Sequence, residues 1–177
     1  GGSATEVAYT LQQGTDSAVY VFGTANPGPL GQADFCLNKL DPNGNLIRTT
    51  YYSGYGGDNG LLILPAGSGW LLIGVTIDTA SVTAATDVLI LRVDTMGNEL
   101  WRKLYGGPGN EQCKTAANTA DGGFLLAGFC PDSFGSIDGY ILRLDSAGNK
   151  LFETTYGSGQ MDLADGIAER PDHTIAV

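Results

Sequence analysis

Charge is scarce in this chain and unevenly signed: Asp, Glu, Lys and Arg make up 16% of its 177 residues, with 9 basic side chains against 19 acidic ones. The formal charge of −10 repels a phosphate backbone and an anionic bilayer alike, which argues against nucleic acid or a membrane surface as partner. No apolar run approaches the roughly 18 residues of a spanning helix, and no basic stretch leads into an apolar one as in a secretory leader. No membrane insertion is expected. His173 is the one histidine, with no second His or Cys at metal-ligand spacing, so no metal site is read. Three cysteines, Cys36, Cys113 and Cys130, are too few to build a disulfide-held fold. Nucleophile elbow, phosphate loop and paired-histidine zinc signatures are missing, so neither a catalytic residue nor a cofactor is assigned.

Glycine and apolar residues are what the chain has in plenty. Gly accounts for 27 residues, about twice an ordinary share of roughly 7%, and it is spread along the whole length, which implies many tight turns. A hydrophobic content of 42% supplies a core. The opening Gly1-Gly2 and the closing Thr174-Ile175-Ala176-Val177, which reads as the middle of a strand, look cut at both ends.

An internal repeat organises the sequence. The segment DFCLNKLDPNGN at 34–45 returns as DVLILRVDTMGN at 87–98 and as DGYILRLDSAGN at 138–149, at spacings of 53 and 51. Each is followed by a tyrosine (Tyr52, Tyr105, Tyr156), a Gly/Ser pair, and then an acid (Asp58, Glu111, Asp162); Glu6 falls in the same frame. The units are 1–52, 53–105, 106–156 and a partial 157–177. Within a unit the patterning has the period of strands. The stretch after each acid is a first strand, the apolar runs from Val19, Trp70 and Phe124 are buried second strands, the Asp34-type segment is a third, and a fourth ends on the tyrosine. The D-x-x-G-N turn between the last two suits a hairpin, because Asp accepts backbone hydrogen bonds and Gly takes a positive φ. No sustained helical stripe occurs. The expected fold is all-β: a β-propeller fragment of about three and a half four-stranded antiparallel blades, forming one partial propeller over 1–177.

The pattern D-x-[aromatic]-[L/I]-L-[K/R]-[L/V]-D-x-x-G-N-x-L-[W/F]-x-x-x-Y-G-G, completed by T-x-D-G-G-F-L-L-A-G, resembles the repeats of secreted, Bacteroidetes-type bacterial β-propeller proteins. The unit 106–156 fits best. That resemblance implies a secreted or cell-surface location and a non-catalytic binding or scaffold module of a larger repeat protein, with a protein or carbohydrate ligand. The remaining blades would come from the same chain or from a second copy. Two alternatives stand beside it: a fragment of a propeller enzyme of quinoprotein or sialidase type, since the G-N-x-L-W strand looks like the outer strand of a quinoprotein blade, and a half propeller closing as a homodimer. Departures from the repeat are Arg48 in place of Trp101 and Phe152, and Gly67-Ser68 in place of Asp121-Gly122.

The recurrent acids Glu6, Asp58, Glu111 and Asp162 either ring a cation or accept amides of their own Gly-rich loops, and the second reading is preferred. The pairs Asp34/Asp41, Asp87/Asp94 and Asp138/Asp145 are read as turn and strand-end residues, because a glycosidase pair is needed once and these recur. His173 is read as a solvated turn residue, and the loops 54–57 and 106–109 as connectors between blades. Trp70, Trp101 and Phe152 are read as blade-on-blade packing in preference to a sugar platform. Cys113 and Cys130 flank a hairpin whose register, pairing Thr119 with Phe124, would also bring the two thiols together; a cross-strand disulfide and two separately buried thiols both remain open. The connections from second to third strand vary most in length and are where a partner would be recognised.

Overall fold

The structure is a computed structural model that describes residues 6–26, 32–77, 85–107, 109–131, 136–158 and 160–177. Blade one consists of β1 (Glu6–Gln13), β2 (Val19–Ala25), β3 (Asp34–Leu40) and β4 (Leu46–Tyr52). Blade two is β5 (Asp58–Ala66), β6 (Gly69–Ile77), β7 (Thr86–Val93) and β8 (Glu99–Tyr105). Blade three follows with β9 (Gln112–Asn118), β10 (Phe124–Pro131), β11 (Ile137–Leu144) and β12 (Lys150–Tyr156), and a short hairpin, β13 (Ala168–Glu169) with β14 (Ile175–Ala176), begins a fourth. Each sheet is antiparallel with its strands in chain order, and no helix occurs among the described residues. The architecture is all-β and propeller-like, about three and a half blades, as the repeat implies. The loops between second and third strands lie largely outside the described residues.

Side chains alternate across each sheet, so a blade has two faces and each needs a neighbour. Tyr20, Phe22, Phe35, Leu37 and Tyr52 of blade one pack against Ile63, Trp70, Leu72, Leu89 and Leu91 of blade two. The opposite face of blade two, with Leu71, Ile73, Val88 and Ile90, meets Phe124, Leu126, Tyr140 and Leu142 of blade three. Close approach is secured where the incoming strand carries no side chain: a β-carbon on Gly74 would stand 2.6 Å from the Phe35 ring. Phe22 and Phe35 themselves meet edge to face at 5.2 Å.

Three polar devices recur between or within blades. First, the hydroxyl at the end of β4 and of β8 crosses to the next blade: Tyr52 donates to the Gly97 carbonyl at 2.8 Å and Tyr105 to Gly148 at 2.5 Å. Burial pushes the Tyr52 phenol up to about 12, so the proton that makes this bond is retained at any ordinary pH. Second, a backbone bond joins neighbouring blades at the start of each inner strand, from Asp58 to Ala33, from Glu111 to Thr86 and from Asp162 to Ile137, at 2.7–2.8 Å. Third, Asp41, Asp94 and Asp145 each accept two turn amides and the Asn side chain four residues on, at 2.7–2.9 Å. The turn glycine has a positive φ in all three, +85°, +79° and +75°.

The register differs from the expected one. Phe124 pairs with Asn118, since the Thr119 amide bonds to Gly123 inside the turn, and a bulge before Gly128 shifts the strand again. Cys113 therefore stands opposite Gly128, while Cys130 stands opposite Asp138 on the far side of the strand. No disulfide joins them, and both thiols are buried. Similar bulges interrupt β1 and β5, and a further one interrupts each outermost strand, leaving Ile47, Leu100 and Leu151 turned outward and 56–58% exposed. Bulges strengthen local twist, which a blade tapering from inner to outer strand requires.

Tyr105→Phe should lower unfolding stability by about 1–2 kcal/mol in urea melts, because the buried Gly148 carbonyl loses its donor. Tyr156→Phe, at a position 39% exposed, should stay within about 0.5 kcal/mol of the parent.

Candidate functional site

The recurrent acids are taken up by their own connectors. Asp58 accepts the Gly54 amide in a short bond, Glu111 accepts Gly107 at 3.0 Å, and Asp162 accepts the Ser158 amide at 2.8 Å. The loop before Glu6 lies outside the described residues. Asp58 is wholly buried, and its Oδ1 has no hydrogen-bond partner among the described residues. Burial raises its pKa above the ordinary 3.8, against the pull of the Thr76 hydroxyl and the Gly54 amide. Among the described residues no three His, Cys, Asp or Glu side chains are grouped to hold a metal ion.

His173 occupies the turn position of Gly122 with φ +63°, exposed, its Nδ1 2.9 Å from Glu169 Oε1. Trp70 is 4% exposed in the core between blades one and two. Trp101 packs at the second interface, over Gly148, with the Lys103 ammonium 5.6 Å from its ring. Phe152 is 41% exposed, so the expected packing role is met by the two tryptophans and not by it within the described residues.

One further device was not foreseen: a clasp between the first turn of a blade and its third strand. In blade one Lys39 Nζ meets Asp16 Oδ2 at 2.7 Å; in blade three Arg143 Nη2 meets both oxygens of Asp121 at 2.7 Å. The guanidinium beside it holds the Asp121 carboxyl well below the usual carboxylate range, and Lys39 lowers that of Asp16. Lys39, Arg92 and Arg143 stand at one repeat position, and Asp16 and Asp121 at another, where blade two has Gly67. Comparing only the turns shows that an Asp is missing, but not that an arginine had been its partner. Strand pairing was needed to connect them.

A cleft of about 380 Å³ opens between blades one and two. Gln13, Thr15 and Asp16 line one side, Ser68 and Thr95 the other, and Tyr20 and Trp70 close its floor with ring centroids 4.6 Å apart. The Tyr20 hydroxyl bonds Asp16 at 3.2 Å and the Thr95 carbonyl at 3.3 Å, whereas the buried Trp70 Nε1 has no partner among the described residues. In a basic groove between blades two and three, with Arg102, Lys103 and Lys150, the cations already have partners: Arg102 pairs with Glu99 and Lys150 with Glu153, while Lys103 donates to neutral oxygens of Asn149 and Ala147. Comparison with protein-family models and with curated proteins found no match for this chain.

Asp58→Asn removes a group whose folded pKa is raised, so the parent alone loses stability as pH climbs from 3.8 through that raised value. The difference in melting temperature, variant minus parent, should grow more positive between about pH 4 and 7. A flat difference in a calorimetric pH series would show that Asp58 does not titrate there.

Proposed function

We propose that this chain is a non-catalytic binding or scaffold module of a larger repeat protein, exported or displayed at a bacterial cell surface. One observation carries the reading: the polar residues that recur from blade to blade bond backbone amides or clasp a turn to a strand, while the non-repeating cleft between blades one and two has polar walls and an aromatic floor. Concave sites of this kind take ligands, and loops on a rigid sheet scaffold tolerate the variation that recognition needs. Protein or carbohydrate is the ligand class, given a net charge of −10 that disfavours nucleic acid.

The scaffold role is supported by the free face of blade one, where Leu11 and Tyr51 are 62% and 43% exposed on the side that blades two and three fill with a neighbour. A further blade of the same repeat suits it. The same face also favours the second reading, closure by a second copy.

Glycan and protein arrays probed with the purified chain, followed by assays with a quinone cofactor and with a sialoside, should give binding without turnover. Turnover in either assay sinks the module reading. Sedimentation velocity separates the two scaffolds: a discrete dimer favours closure by homodimerisation, and a monomer favours further blades in the same chain.

A further inference from the structure

The junction of blades one and two is floored by two side chains that its counterpart lacks. Tyr20 and Trp70 face each other there, 2% and 4% exposed. At the junction of blades two and three the same two repeat positions hold Leu71 and Phe124, which carry no polar atom. The Tyr20 hydroxyl is used, since it donates to Asp16 and to the Thr95 carbonyl. The Trp70 Nε1–H is not: it is buried and has no acceptor among the described residues. A buried donor without an acceptor is costly and rare in folded chains, and Phe124 shows that this packing position does not need one.

The edge of the indole that bears this donor is turned to the cleft. A β-carbon on Gly14, in the cleft wall, would stand 3.5 Å from Trp70 Cζ2, and Cζ2 is bonded to the ring carbon that carries Nε1. Above the floor the walls present Gln13, Thr15, Asp16, Ser68 and Thr95, all exposed. Between them these groups both donate and accept hydrogen bonds. Ser68 belongs to the turn in which blade two departs from the repeat. No Lys or Arg lines the cleft among the described residues, and the charge of Asp16 is already met by Lys39 at 2.7 Å. An anion there would meet a carboxylate, and a cation would find that carboxylate taken. A volume of about 380 Å³ falls at the small end of ligand sites, which run from roughly 300 to 1,000 Å³.

We propose that the cleft between blades one and two binds an uncharged hexose unit of a glycan, one of whose oxygens accepts the Trp70 Nε1–H. The site deepens the binding-module reading and rests on it. Each sugar hydroxyl donates and accepts at once, as walls of mixed character require, and an uncharged ring avoids the Asp16 carboxylate. Trp70 keeps its ring in the core between the blades and offers the ligand its N–H alone.

Magnetic resonance of the isotope-labelled chain tests it, because two tryptophans give two indole N–H signals. Trp101→Phe, which introduces the side chain type of Phe152 at the same repeat position, assigns them. Methyl glycosides of glucose, galactose and mannose, and the uronoside of each, are the probes. At least one neutral glycoside should move the Trp70 signal and leave that of Trp101 in place. It should also bind at least about threefold more tightly than the uronoside of the same sugar. Trp70→Phe, its fold checked by circular dichroism, should weaken that glycoside by about three- to tenfold in calorimetric titration, the worth of one hydrogen bond. If this variant does not fold, the indole signal of the parent decides alone. A Trp70 signal that no neutral glycoside moves, a uronoside that binds as tightly, or undiminished binding by a folded Trp70→Phe protein overturns the hexose site. Capture of a protein on the arrays, with the Trp70 signal unmoved by every sugar, would leave the module reading standing while the hexose site falls.

Discussion

Burial of both faces of a blade is the constraint from which the rest follows. A four-stranded sheet with large apolar side chains above and below cannot stand alone in water, and the middle blade meets the demand by taking a neighbour on each side. Leu71, Leu72, Ile73, Leu89, Ile90 and Leu91 are all wholly buried, alternately toward blade one and toward blade three. Blade one is filled on one side only, and the outer side of blade three is covered only in part by the opening of a fourth, which is why exposed apolar side chains collect on β1, β4 and β12. The unit repeats because its neighbour must be another sheet of matching shape.

Polar groups refine this packing. Apolar faces alone would let two blades slide, since dispersion and hydration are non-directional. The tyrosine hydroxyl that crosses to the next turn glycine, and the amide at the start of each inner strand that crosses to the preceding blade, fix height and rotation. These bonds also explain the spacing of the repeat. Tyrosine, the Gly/Ser connector and the acid must keep their distances for one blade to end at the outer edge and the next to begin at the centre.

Against that regular background the clasp of blade two stands out. Lys39 with Asp16 and Arg143 with Asp121 are closed within their blades, and Arg92 keeps its Nη1 bonds while its Nη2 donates to the Ala66 carbonyl beside Gly67. In a repeat protein a place where one unit departs from its neighbours is a better pointer to recognition than any recurring residue. Recurring residues serve the stacking that every unit shares.

Much of the fold was legible in the chain itself. Strand order, the D-x-x-G-N hairpins and the burial of second strands follow from local patterning and turn chemistry, and the acids accept loop amides as their position before each inner strand suggests. The cysteine register was not legible, because a bulge before Gly128 and a turn that takes in Thr119 each shift pairing by a residue, and neither leaves a mark in side-chain alternation. The tyrosine-to-glycine bonds belong to the same class. By itself the sequence determined an all-β repeat of four-stranded units, since period and turn propensity act between near neighbours. Only tertiary structure decided which hydroxyl meets which carbonyl, which arginine has lost its partner and where the cleft opens, because those relations join residues a blade apart and depend on how two sheets settle against each other.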